Sequence, residues 1–255
     1  MTTEHPTVTL TGDSMVPLVA AAAALEADDV PPFAIIGGVA VAVRLGRSLR
    51  ATADLDTVTD YRYSPTALEI LQRRADSEID PDDPHTITLA GTEIEFQGVV
   101  AVTDAEIEHL EPKNLLYIAG HAHALTTATI VRIRATGASE PVEANVPVAT
   151  TGALVAMKLH AYLDRRPSSG LDKRPGDLWD LYSLLLFSAS EAASGLASAS
   201  PLLRNAVATT LREQLIDNAT RARTVLRSSN DDRYQAITAA ELEHVATDLL
   251  QRIRS

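Results

Sequence analysis

Apolar and polar positions follow two different periods along this chain, and the change falls near residue 147. Residues 1–12 read as a polar tail carrying a short strand at Thr7 to Leu10. Asp13 or Ser14 is placed to cap a helix that reaches about Glu26. Phe33-Ala34-Ile35-Ile36 is a short apolar run ending at Gly37-Gly38, the pattern of a buried strand entering a turn, and Val39 to Leu45 follows as a short helix. Ala53 to Val58 alternates acidic and apolar residues as a strand does. Ser64-Pro65 predicts a helix to about Arg74, with Pro65 at its first position. After a loop at Asp80 to Pro84, Thr86 to Leu89 and Thr92 to Val99 form a hairpin joined by Ala90-Gly91, and Ala128 to Arg134 is a further strand.

Beyond Pro147 the strand signals stop. Residues 151–166, 177–189, 200–226 and 238–254 all carry helical spacing. The Ala/Ser-rich stretch Ser188 to Ser200 reads either as a helix of small residues or as a mobile connection. The expected organisation is α+β, with a short mixed sheet flanked by helices over residues 1–147 and a helical domain over 148–255.

Composition narrows the function classes. The chain has 255 residues, and 22 basic against 34 acidic side chains give a net charge of −12. That opposes coating a long nucleic acid through phosphate contacts alone, and it suits a site that gathers divalent cations. The absence of cysteine excludes disulfides, thiolate zinc sites and thiol catalysis. No apolar run approaches the roughly 20 residues of a membrane span. Met15 to Leu25 stops at Glu26 and lacks the basic flank and cleavage site of a signal peptide, so cytoplasm is the expected compartment.

Asp54-Leu55-Asp56 is the most informative tripeptide. Alternation on a strand projects both carboxylates from one face, roughly 7 Å apart, with Leu55 turned the other way. Paired carboxylates repel unless something positive sits between them, and a hard divalent cation with oxygen ligands answers that need. One helix upstream, Gly37-Gly38 lets backbone N–H groups come close to phosphate oxygens at a helix N-terminus. Ser48 and Thr52 are further candidates for phosphate contact, in Arg47-Ser48-Leu49-Arg50-Ala51-Thr52. Thr92-Glu93-Ile94-Glu95-Phe96-Gln97 offers two more acids, Glu93 and Glu95, on the face opposite Ile94 and Phe96.

In the helical half, Lys158, Tyr162 and Arg165 fall at i, i+4 and i+7 on one helix face. Arg166, Lys173 and Arg174 follow around a loop, and Asp177 and Asp180 share one side of the next helix. Such a cationic cluster on an acidic protein is expected to face an anion. His121-x-His123 is a weak metal-ligand pair on a strand face, without an obvious third ligand. Trp179 and Tyr182 are expected to pack between helices. No glycine-flanked serine in a Ser-His-Asp order supports acyl transfer.

The stretch FAIIGGVAVAVRLGRSLRATADLD resembles the signature of the polymerase-beta-like nucleotidyltransferases. Its Arg50-x-Thr52-x-Asp54-x-Asp56 ending most resembles the AbiEii and MenT type of toxin from toxin–antitoxin and phage-defence systems. The resemblance implies an enzyme that moves NMP from an NTP to an acceptor, with Mg²⁺ on Asp54 and Asp56. Gly37 and Gly38 would cradle phosphates, with Arg47, Ser48, Thr52 and Arg165 as further nucleotide contacts. It implies a third acid, best matched by Glu95, where the superfamily usually shows aspartate. It also implies that Lys158 touches the triphosphate and that Asp177 or Asp180 acts as a base or orients a basic partner. Lys173-Arg174-Pro175-Gly176-Asp177 departs from the family pattern by an extra Arg-Pro-Gly. The acceptor implied is a tRNA 3′ end, and the implied partner is a neutralising antitoxin. Two other readings stay open, a small-molecule nucleotidyltransferase of the antibiotic-modifying kind and a non-catalytic nucleotide-binding scaffold.

Overall fold

The structure is a computed structural model that describes residues 5–254 except 28–29, 51, 75, 81–82, 90, 101 and 166–172. By contact it divides into two compact units, Met1–Ala101 with Ala124–Ala149, and Val102–His123 with Thr150–Ser255. Among the described residues no helix is long and apolar enough to cross a membrane.

The first unit holds strands β1 (Thr7–Thr11), β2 (Phe33–Ile35), β3 (Asp54–Asp60), β4 (Ser77–Ile79), β5 (Thr86–Leu89), β6 (Thr92–Val99), β7 (Thr129–Thr136) and β8 (Val142–Val148). It also holds helices α1 (Met15–Ala27), α2 (Gly37–Leu45) and α3 (Ala67–Leu71). The strands form one mixed sheet in the order β1-β7-β8-β2-β3-β6-β5-β4. The pairs β1–β7, β2–β8 and β3–β6 are parallel and the rest are antiparallel. Leu10, Ile35, Leu55, Ile94, Ile133 and Val146 are fully buried and make the sheet's share of the core.

Some local features differ from the expected ones. The helix after Pro65 starts at Ala67, because Thr66 and Glu69 form a capping box that fixes its first turn there. Strand β8 lies where no strand was expected. Its proline, Pro147, is tolerated because the ladder between β2 and β8 is confined to Ile35 and Val148, so its missing N–H breaks little.

The second unit is helical: α4 (Asp104–Ile107), α5 (Pro112–Thr127), α6 (Thr151–Asp164), α7 (Arg174–Ala197), α8 (Pro201–Leu211), α9 (Ala219–Arg227), α10 (Asp232–Ala236) and α11 (Ala239–Arg254), with a π-helical turn at Arg212–Asp217. The last few residues of α5, from Ala124 on, belong to the first unit. The Ala/Ser-rich stretch is helix, the second half of α7 beyond a distortion at Ser188. Its small residues serve packing, because α6 and α7 approach backbone to backbone at Gly152 and Gly195. A Cβ on Gly152 would lie 2.6 Å from the Leu196 nitrogen and 2.9 Å from the Ala192 oxygen. Backbone atoms cannot rotate away, so Gly152→Val is expected to destabilise the protein by about 2–3 kcal/mol, read as a lowered denaturation midpoint in urea.

His121 and His123 lie on helix α5, not on a strand. Residues two apart on a helix point about 200° from each other, and these two do. His121 Nδ1–H donates to the Tyr117 carbonyl at 2.7 Å, while His123 Nε2–H donates to the Gly195 carbonyl at 3.1 Å. They cannot share a metal. Burial instead drives the His121 imidazole down to about 4, and the neighbouring His160 adds to the effect. The unfolded chain therefore takes up a proton near pH 6.5 that the folded chain refuses until about pH 4. Stability is lost as pH falls through that window, by about 3 kcal/mol from this residue. Urea melts at pH 7.5 and 5 are expected to show that His121→Gln loses less stability on acidification than the parent does.

Candidate active site

Helix α2 follows β2 without a loop, so Gly37 and Gly38 form its first turn. The Ile36 N–H donates to the Asp56 carbonyl at 2.9 Å, which fastens the end of β2 to β3. Gly37 has φ +66°, and a Cβ there would fall 1.7 Å from Asp56 Oδ2. The glycine therefore makes room for the carboxylate at the positive end of the helix. A Cβ on Gly38 would meet Thr52 Oγ1 at 2.8 Å and Arg50 Nη2 at 3.2 Å. The Thr52 hydroxyl donates to Asp54 Oδ1 at 3.1 Å. Two glycines and the Arg50-x-Thr52-x-Asp54-x-Asp56 segment thus meet in one place.

Strand pairing brings in the next acids. Asp54 is registered with Glu93 and Asp56 with Glu95 on parallel β6, so all four carboxylates project from one face of the sheet. Asp54, Asp56 and Glu95 are half-buried and Glu93 is exposed. Gln97 Nε2–H donates to Glu95 Oε1.

Arg47 and Ser48 stand past the other end of α2. The Arg47 N–H completes the helix C-cap on the Ala42 carbonyl at 3.0 Å, about 13 Å of helix away from Gly37. Ser48 donates to the Arg50 carbonyl at 2.8 Å and so shapes the turn that delivers Arg50. Arg50 begins the same alternating series as Thr52, Asp54 and Asp56, the series that carries the resemblance, but the sequence reading gives it no role of its own. Arg44 has a structural task, donating to the Ala149 and Val148 carbonyls at 2.7 and 2.5 Å.

The helical unit assembles its own charged cluster. Lys158 of α6 is buried, with Nζ 3.0 Å from Asp177 Oδ1 and 2.9 Å from Asp180 Oδ2 on α7. Arg165 Nε lies 2.8 Å from Asp177 Oδ2, charge facing charge but off the hydrogen-bond direction, so that buried oxygen keeps no hydrogen bond. Arg166 lies outside the described residues. Trp179 stacks on Tyr234 at 5.0 Å between α7 and α10, with the Arg233 guanidinium 5.9 Å from its ring, as packing requires.

Among the described residues no group of three His, Asp or Glu side chains is arranged to hold a metal by itself. Magnesium does not need such a cage, since it is held by one or two carboxylates and completed by water and substrate phosphates. Asp54 and Asp56 fit that chemistry, because the space left by Gly37 seats a hard oxygen donor where phosphate would approach.

A mixed sheet with carboxylates beside a glycine-led helix, followed by a helical unit, places the chain in the nucleotidyltransferase class. It belongs to the AbiEii nucleotidyl transferase toxin family of type IV toxin–antitoxin systems, whose family model matches residues 21–251. Among solved structures it is similar to an antigenic nucleotidyltransferase-like protein from Paracoccidioides brasiliensis, with a TM-score of 0.46 and 20% identity over 84% of this chain and 93% of that one. It is also similar to ANT(2″)-Ia in complex with adenylyl-2″-tobramycin, with a TM-score of 0.40 and 16% identity over 72% of this chain and 93% of that one. No curated protein sequence matches the chain.

Proposed function

We propose that this nucleotidyltransferase is a magnesium-dependent toxin that moves NMP from an NTP to the 3′ end of a tRNA, and that an antitoxin restrains it. The reading rests on the Asp56 carboxylate occupying the space a Gly37 side chain would take, which joins a metal-type donor pair to a phosphate-type helix end. Asp54 and Asp56 would hold the magnesium, which supplies Lewis-acid charge to the α-phosphate. The α2 N-terminus, with Gly37, Gly38 and Thr52, binds phosphate oxygens. The acceptor hydroxyl gives its proton to Glu95, its oxygen bonds to the α-phosphorus, and the α–β bridging P–O bond breaks to release pyrophosphate. Lys158 and Arg165 offset phosphate charge, and Asp177 and Asp180 orient Lys158.

Labelled NTPs incubated with total tRNA and Mg²⁺ test this reading. Label in RNA is the expected result; label confined to added small hydroxyl compounds would move the protein to the antibiotic-modifying kind, and no transfer at all would leave a scaffold. Chelation is expected to abolish transfer and Mg²⁺ to restore it, while the melting temperature stays nearly unchanged because the donor pair is not a structural cage.

A further inference from the structure

We propose that Tyr61 is a nucleotidylation site: a phenol that takes NMP from an NTP held by a second copy of this chain, with His85 as its base. With the imidazole proton on Nε2, the Tyr61 hydroxyl donates to His85 Nδ1 at 3.0 Å. The ring planes are inclined at 23° with centroids 6.3 Å apart, so the two rings meet edge to edge. Both residues are anchored on β6: the Tyr61 N–H donates to the Val99 carbonyl at 3.2 Å, and the His85 carbonyl accepts the Phe96 N–H at 2.9 Å. Gly98 gives the phenol its seat, since a Cβ there would fall 1.9 Å from Tyr61 Cε2. The pair still stands at the surface, with Tyr61 38% exposed and His85 exposed beside it.

A fixed hydroxyl, a base within hydrogen-bond reach and a group that steadies the base are the parts of an activated nucleophile. Asp83 supplies the third part. Its carboxylate accepts the His85 N–H and the Thr86 hydroxyl, each at 3.0 Å. Those two bonds, in that order, hold the Asp83 carboxyl below its ordinary value, and attraction to the His85 ring adds to them. The same attraction favours the imidazolium formed when Nδ1 takes the phenol proton. Tyr61 Oη then bonds to the α-phosphorus, the α–β bridging P–O bond breaks, pyrophosphate leaves, and His85 gives its proton to water. The chain's own Asp56 stands too far away to serve. Tyr61 lies five residues beyond it, about 16 Å along the strand direction, and Gly98 is on the face of β6 opposite Glu95.

The electrophile rests on the nucleotidyltransferase reading, and the nucleophile can be tested apart from it. N-acetylimidazole is expected to acetylate Tyr61 about tenfold faster than Tyr63, which is more exposed at 46%, and His85→Asn should remove that advantage. For transfer, an Asp56→Ala chain is the receiver and a Tyr61→Phe chain the enzyme, mixed with each NTP and Mg²⁺ without RNA. Mass spectrometry of the receiver is expected to find one NMP, on the peptide carrying Tyr61. His85→Asn in the receiver should slow its appearance about a hundredfold. Free imidazole should restore part of that rate, which a merely structural role would not allow. Tyr61→Phe should leave the labelling of RNA unchanged. NMP on Tyr63 instead, or acetylation no faster at Tyr61 than at Tyr63, overturns the proposal. A chain that labels RNA but never its own tyrosine overturns it alone. Label on Tyr61 without label in RNA keeps it and rejects the RNA acceptor; no label on either overturns both.

Discussion

Replacing Asp56 by alanine is expected to lower nucleotidyl transfer by at least about a thousandfold while leaving the protein folded. The size follows from removing one of two donors that concentrate positive charge at the α-phosphate, a loss of about 4 kcal/mol in the transition state. Folding is spared because the half-buried carboxylate is one of four acids on one face of the β3–β6 pair, and removing a member lessens their mutual repulsion. The space freed beside Gly37 opens toward α2 and is small. Radiolabel incorporation into RNA, with a melting curve on the same sample, separates the two effects. On expression, growth arrest should disappear with the activity. Turnover that survives Asp56→Ala would remove the assigned site, whatever the family.

The Gly37→Ala variant sharpens this result. A methyl group there meets the carboxylate rather than solvent, and φ +66° is itself unfavourable for alanine. The variant should therefore lose transfer without losing either acid. If it kept full activity, contact between helix end and carboxylate would not matter to the chemistry.

Much of this arrangement is written locally in the chain. Asp54 and Asp56 share a face because strand side chains alternate, and Gly37-Gly38 announces a close approach within one helix of them. What approaches Gly37 is not local. That it is Asp56, and that Glu95 stands beside Asp56, depends on the pairing of β3 with β2 and of β3 with β6, both set by tertiary packing. Arg50 was legible in principle, since it shares the alternation of Thr52 and Asp54, but its contact with Gly38 was not. Strand β8 was hidden by Pro147, a residue that normally argues against a strand within a sheet. His121 and His123 suggest ligands only while the segment is read as extended; on α5 their two-residue spacing separates them.

The second large effect is expected at Lys158, and it is an effect on stability. Its ammonium is the shared partner of two carboxylates that are 2% and 1% exposed. Lys158→Met keeps the length of the side chain but leaves Asp177 and Asp180 buried with one fewer cation, and it should destabilise the chain by about 3–5 kcal/mol. Adding Asp177→Asn and Asp180→Asn removes the uncompensated charge and should recover a large part of that loss in urea denaturation. Transfer activity should not return with stability if the lysine also acts on phosphate. The pair of measurements matters for any growth assay, since relief of arrest by a lysine variant alone would follow equally from an unfolded protein. A triple variant that regains both stability and transfer would make the cluster a purely structural clasp between α6 and α7. One that regains stability alone leaves Lys158 with a part in the chemistry.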